Sequence, residues 1–222
     1  MTEGLINING DSVQTLEILF LTTMIMLVPA IVVMMTSFTR YVIALSFLRN
    51  AMATQSTPPN MVLVGIALFL TLFTMAPVIN QINTEAYQPY VNEEIDQTEF
   101  LETAQVPLKR FMLDNMRPSA LALFCDLGGE ETPGTVEEGM DLPLTVVVPA
   151  FATSELTRAF QIGLFLYIPF LLIDMIVATT LMAMGMMMLP PSMISTPFKL
   201  LLFISLNGWE LLFSNLVDGF IR

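Results

Sequence analysis

Residues 159–189 read AFQIGLFLYIPFLLIDMIVATTLMAMGMMML, a 31-residue run whose one charged residue, Asp174, stands near its centre. About 20 apolar residues in helical form span the hydrocarbon core of a bilayer, so this stretch predicts a long apolar helix. Three further runs have the same character: Val13–Thr36 (24 residues), Met61–Ile79 (19) and Phe198–Val217 (20). They pair into two hairpins. The first turns through residues 36–60, which contain Arg40, Arg49 and Pro58-Pro59-Asn60-Met61; the second turns through Pro190-Pro191-Ser192-Met193. The fold class expected is all-α, a membrane-associated helical assembly subunit with two long apolar hairpins flanking a polar, acidic, partly helical segment. Residues 1–79 hold the N-terminal helix and first hairpin, 80–157 the polar segment, and 158–222 the second hairpin.

Helix punctuation supports these spans. Asp11, with Gln14 three residues on, is placed to cap the first helix, Asn60 the second, Ser154 the third and Thr196-Pro197 the last. In the polar segment, Phe100, Leu101, Ala104, Leu108, Phe111 and Met112 recur on one helical face. A Gly/Glu-rich loop follows over 128–139, and Val146–Val148 between Pro143 and Pro149 read as a short strand or extended chain.

Composition removes whole classes of function. The chain is 55% hydrophobic and 13% charged, about half the charge of an ordinary soluble domain, with mean hydropathy +0.71. It contains no histidine, and Cys125 is its one cysteine. That excludes Ser-His-Asp and Cys-His catalysis, internal disulfides and cysteine-based zinc sites. No catalytic residue, cofactor site or metal site is expected. Of the net charge of −12, the stretch 80–156 supplies most, with fourteen acids against three bases. Such acidity argues against nucleic acid as a partner. Arg40, Arg49 and Lys199 lie beside the two hairpin turns, which orients both turns to the cytoplasm and the acidic middle outward. Residues 1–10 lack a basic start, so no cleavable signal peptide is expected.

Three features do not suit ordinary spanning helices. Asp174 lies at the middle of its run, where an acid costs about 2.5–3.5 kcal/mol on insertion scales; Lys199 is a candidate partner from the neighbouring helix or another subunit. Glu17 and Glu210 raise the same question nearer helix ends. Pro29, Pro77 and Pro169 each remove a backbone donor. Finally, Met182, Met184, Met186, Met187, Met188 and Met193 crowd one turn. Flexible, polarisable methionine seals against surfaces of varied shape, so this turn is either a greasy helix end packed on neighbours or a soft closure across a cavity.

Several long motifs occur in order: Thr36-Ser37-Phe38-Thr39-Arg40, Leu48-Arg49-Asn50-Ala51, Thr57-Pro58-Pro59-Asn60, Thr153-Ser154-Glu155-Leu156, Ile168 through Asp174, and Met184-Gly185-Met186-Met187-Met188-Leu189-Pro190-Pro191 with Pro197-Phe198-Lys199. They strongly resemble the FliP family, the P subunits of the bacterial flagellar type III protein-export gate, which has the R-type subunits of virulence type III secretion as relatives. The resemblance implies a non-enzymatic channel subunit. Several copies, five being the number expected, would assemble with Q and R subunits in the inner membrane at the centre of the basal body. Much of that assembly would lie on the periplasmic side. Its further partners would be the B and A export-apparatus proteins, basal-body ring and rod proteins, and unfolded flagellar export substrates. On that resemblance Met186, Met187 and Met188 close the pore on a loop shaped by Gly185, Pro190 and Pro191, while Asp174, Lys199, Glu17, Arg40 and Arg49 serve subunit contacts and assembly. The alternatives are an R-type virulence subunit and an ion or proton transporter that uses Asp174 as a relay.

Overall fold

A computed structural model describes residues 5–8, 11–54, 56–186 and 188–220. The all-α reading holds for the body of the protein. Preceding it is a two-stranded antiparallel hairpin, β1 (Leu5–Ile8) and β2 (Asp11–Gln14), with Ile6 opposite Val13. Asp11 and Gln14 are therefore ladder residues and do not cap the first helix, which starts at Thr15.

The helices are α1 (Thr15–Met35), α2 (Phe38–Ala51), α3 (Asn60–Ile82), α4 (Gln88–Val91), α5 (Gln97–Asn115), α6 (Pro118–Gly128), α7 (Val136–Gly139), α8 (Leu144–Ala183), α9 (Pro191–Ser205) and α10 (Gly208–Asp218). A π-helical turn over Asn83–Tyr87 joins α3 to α4, so 60–91 forms one helical rod. By length and composition two helices can cross a membrane, Asn60–Val91 and Leu144–Ala183. The count rises to four if the bent pairs 25–35 with 38–51 and 191–205 with 208–218, each kinked by 64°, act as single spans.

Four further sequence expectations are corrected here. The expected turn over 36–60 contains helix α2, whose Tyr41, Ala44, Leu45, Leu48 and Ala51 are all buried. Their spacing of three and four is that of a helix with one apolar face; Arg40, Ser46 and Arg49 between them lower the average hydropathy and hide it. Val146–Val148 are helical, because α8 begins at Leu144 after Pro143 and runs through Pro149 as well as Pro169. Ser154 consequently lies inside α8, where its hydroxyl accepts from the Arg117 backbone N–H at 2.9 Å. Likewise α9 opens at Pro191, a first-turn proline, and Thr196-Pro197 sits within it. The amphipathic helix expected over 100–112 is present as α5, capped by Asp96, whose carboxylate accepts from Glu99 N–H at 2.8 Å.

The core forms where α2 lies along α8, with α3, α5, α6 and α10 around them. Gly163 permits that approach: a Cβ at this position would sit 2.5 Å from the Phe47 ring. Helix α5 is tied down by Lys109, whose buried ammonium donates to the Met140 carbonyl. Burial pushes the Lys109 pKa down, with nearby Asp141 opposing the shift. Burial likewise raises the Cys125 thiol above its ordinary range, with Glu130 adding to the shift.

Candidate functional site: a methionine loop on an ion-paired hairpin

The end of α8 is built by local hydrogen bonding. Gly185 takes φ +74°, its N–H donates to Met182 C=O at 3.0 Å, and Met186 N–H donates to Leu181 C=O at 3.0 Å. This pair of reversed bonds, with a left-handed residue after the last turn, terminates a helix by satisfying its open carbonyls. Glycine suits the position because a side chain is strained at that φ. Pro190 and Pro191 then start α9, since Pro191 sits where no backbone donor is needed. The loop between is therefore short and shaped at both ends. Its methionines face outward: Met184, Met186 and Met193 are exposed, and Met188 is 98% exposed. Met187 lies outside the described residues. An apolar side chain fully in the open has no contact within its own chain, and several together form a patch of the kind that marks an interaction surface.

Just below the loop, the charged residues singled out in the sequence come together. Lys199 Nζ lies 2.6 Å from Asp174 Oδ2 and also donates to the Ala51 carbonyl at 3.0 Å. Ser195, one turn before Lys199 on the same face of α9, donates to Asp174 Oδ1 at 2.5 Å. The network thus joins α8, α9 and the C-terminal end of α2, where a cation also meets the negative end of the helix dipole. Lys199 is 2% exposed and Asp174 is 35% exposed. Both Asp174 oxygens are engaged within the chain, which is how an acid in an apolar helix is offset.

Arg49 closes the other turn, donating to Pro58 C=O and Asn60 Oδ1. Arg40 stands apart from both, at the far end of α2. Its guanidinium holds Glu155 of α8 through Nε at 2.7 Å and Nη2 at 2.5 Å, and Gly219 C=O through Nη1 at 2.8 Å. Its Cζ also lies over the Phe220 ring, 3.4 Å from the centroid. Glu155, next to the expected cap Ser154, is a buried partner from within α8. No local signal marks it, because Arg40 and Glu155 are 115 residues apart. Glu17 belongs to α1, and its side chain lies outside what is described.

A family model described as the FliP family matches residues 21–216. The chain belongs to the FliP family. It is 50% identical over 207 residues to "Flagellar biosynthetic protein FliP" of Bacillus subtilis (strain 168), covering 93% of this chain and 92% of that protein. It is 46% identical over 211 residues to the protein of the same name from Aquifex aeolicus (strain VF5), covering 95% and 88%. A third FliP relative, from Pectobacterium carotovorum subsp. carotovorum, is 49% identical over 209 residues, covering 94% and 79%. The matched span of the FliP family includes both the methionine loop and the Asp174–Lys199 pair.

The ion pair itself is testable. Lys199→Met leaves Asp174 with its hydroxyl donor but no cation, and because Asp174 is 35% exposed and water can reach it, the expected loss of stability is about 1–3 kcal/mol, below that for a fully buried pair. The double variant Lys199→Met/Asp174→Asn should recover part of that loss. Equal denaturation midpoints for wild type and Lys199→Met in detergent would show the pair to be idle.

Proposed function

We propose that this chain is a structural subunit of the flagellar protein-export gate, a conduit for unfolded export substrates with no catalysis of its own. Several copies assemble with Q and R subunits at the centre of the basal body in the inner membrane, with much of the assembly on the periplasmic side. The observation that carries this reading is the methionine loop in a FliP-family chain. Outward-facing methionines stand on a turn whose two ends are rigidly shaped by Gly185 and Pro190-Pro191. Repeated around a ring, such loops make a soft apolar collar. It seals against water and ions at rest and yields around a passing polypeptide, because an unbranched thioether side chain has many conformers of similar energy. The Asp174–Lys199–Ser195 network below the loop keeps the two helices that carry it in register. Its part in assembly is to fix the shape each copy presents to the next.

The test is a triple replacement of Met186, Met187 and Met188 by Ala. Complexes should assemble, and membranes bearing them should conduct ions well above the wild-type level. Wild-type conductance from fully assembled triple-variant complexes would remove the closing role.

A further inference from the structure

Helix α8 carries a second feature that the methionine loop does not use. An open groove of about 760 Å3 runs along it, lined by Phe47 of α2 and by Phe160, Leu164, Ile168 and Leu171. One end of this groove is cationic. Arg117 Nη2 donates to Gln161 there at 2.6 Å. Arg158 stands one turn before Gln161 on the same side of the helix, within electrostatic reach of Arg40, Glu155 and Arg117. Glu155 is taken by the two-pronged contact with Arg40, and among the described residues Arg158 donates no hydrogen bond. Arg40 and Arg158 therefore draw on one carboxylate, with Arg117 a third cation near Arg158, in a chain whose net charge is −12. A half-buried guanidinium needs a counter-charge to offset its lost hydration.

The sequence of α1 offers a carboxylate of the right kind. Glu17 is its single charged residue, and the helix is otherwise almost wholly apolar. Its Ile25, Met26 and Val28 are exposed. The carboxylate cannot come from the same copy. Helix α1 ends at Met35, a few residues before Arg40, and Arg40 touches Glu155 one turn from Arg158. Glu17 lies about 27 Å back along the continuous α1 helix from that junction, and α1 is bent 64° away from α2.

We infer that α1 of one copy docks into the α8 groove of the next, its Glu17 carboxylate seated between Arg117 and Arg158. The contact is head-to-tail, so repetition generates a ring or a helical array. This rests on the multi-copy reading above and names the surface through which copies join.

The experiment uses a Cys125→Ser background and two differently tagged chains, one with Ile25→Cys and the other with Ile168→Cys, coexpressed with the Q and R subunits and oxidised in membranes. A disulfide-linked species bearing both tags is expected. Glu17→Arg or Arg158→Glu should each lower its yield by about tenfold or more, and the two reversals together should restore it. Intact complexes without the cross-link, or no rescue by the double reversal, would overturn the docking while leaving the multi-copy reading in place. Absence of any multi-copy complex in the wild type would remove that reading first. If Arg158→Glu sheds copurified anionic phospholipid while Glu17→Arg leaves the cross-link unchanged, a lipid headgroup occupies the site and the proposal falls.

Discussion

Replacing Arg40 with methionine is expected to destabilise the protein by about 3–5 kcal/mol, the range for leaving one partner of a buried ion pair uncompensated. Arg40 and Glu155 are 2% and 1% exposed, so water cannot take over the orphaned carboxylate. The guanidinium also serves two other contacts. It satisfies the Gly219 carbonyl at the end of α10, and it covers Phe220, whose ring meets Tyr41 edge-on at 5.7 Å and stacks on Phe111 at 5.8 Å. One side chain thus fastens the end of the second hairpin to α2, α5 and α8. The loss should therefore appear as early release of α10, which Trp209, the only tryptophan, reports by fluorescence. Arg40→Met/Glu155→Leu should recover much of the stability, since apolar pairs often replace buried ion pairs at little cost. Denaturation of Arg40→Met at the wild-type midpoint would show that the fastening carries no weight.

The second large effect is steric. A Cβ on Gly208 would fall 2.3 Å from two atoms of the Phe203 ring. That ring cannot swing aside freely, because it is buried and packed between Phe170 and Trp209, with centroids at 6.4 and 5.1 Å. Gly208→Ala should cost about 1–3 kcal/mol through overpacking and open the 64° bend between α9 and α10. Gly65→Ala supplies the opposite control. Nothing lies within 4 Å of a Cβ there, and Gly65 is inside α3, so alanine should stabilise by roughly 0.5–1 kcal/mol. If the two substitutions shift the unfolding midpoint in the same direction, close packing at Gly208 is not what the glycine provides.

Much of this architecture was legible from residues alone. Apolar runs marked α1, α3, the second half of α8 and the α9–α10 pair, and the three-four spacing of Phe100 through Met112 marked α5. These signals are local, since a helix satisfies its own backbone and shows its buried face as a period. The Gly185 and Pro190-Pro191 punctuation was readable for the same reason. Asp174 and Lys199 could be matched because each is an isolated charge in an apolar run and needs an opposite.

Other elements were concealed by equally physical causes. Helix α2 was masked by its own arginines, whose ends are held by groups far along the chain. The full 40 residues of α8 were concealed by prolines that a packed helix accommodates. What the sequence by itself determined was the set of apolar helices, the acidity of the middle segment and the methionine turn, all consequences of hydropathy and of hydrogen bonds within a few residues. Only the tertiary structure decided that Arg40 meets Glu155 and the Gly219 carbonyl, that Gly163 and Gly208 lie against aromatic rings, and that Arg117 reaches Gln161 in the lining of the α8 groove. Each of those joins residues whose pairing depends on how helices cross in space, a relation that no local period records.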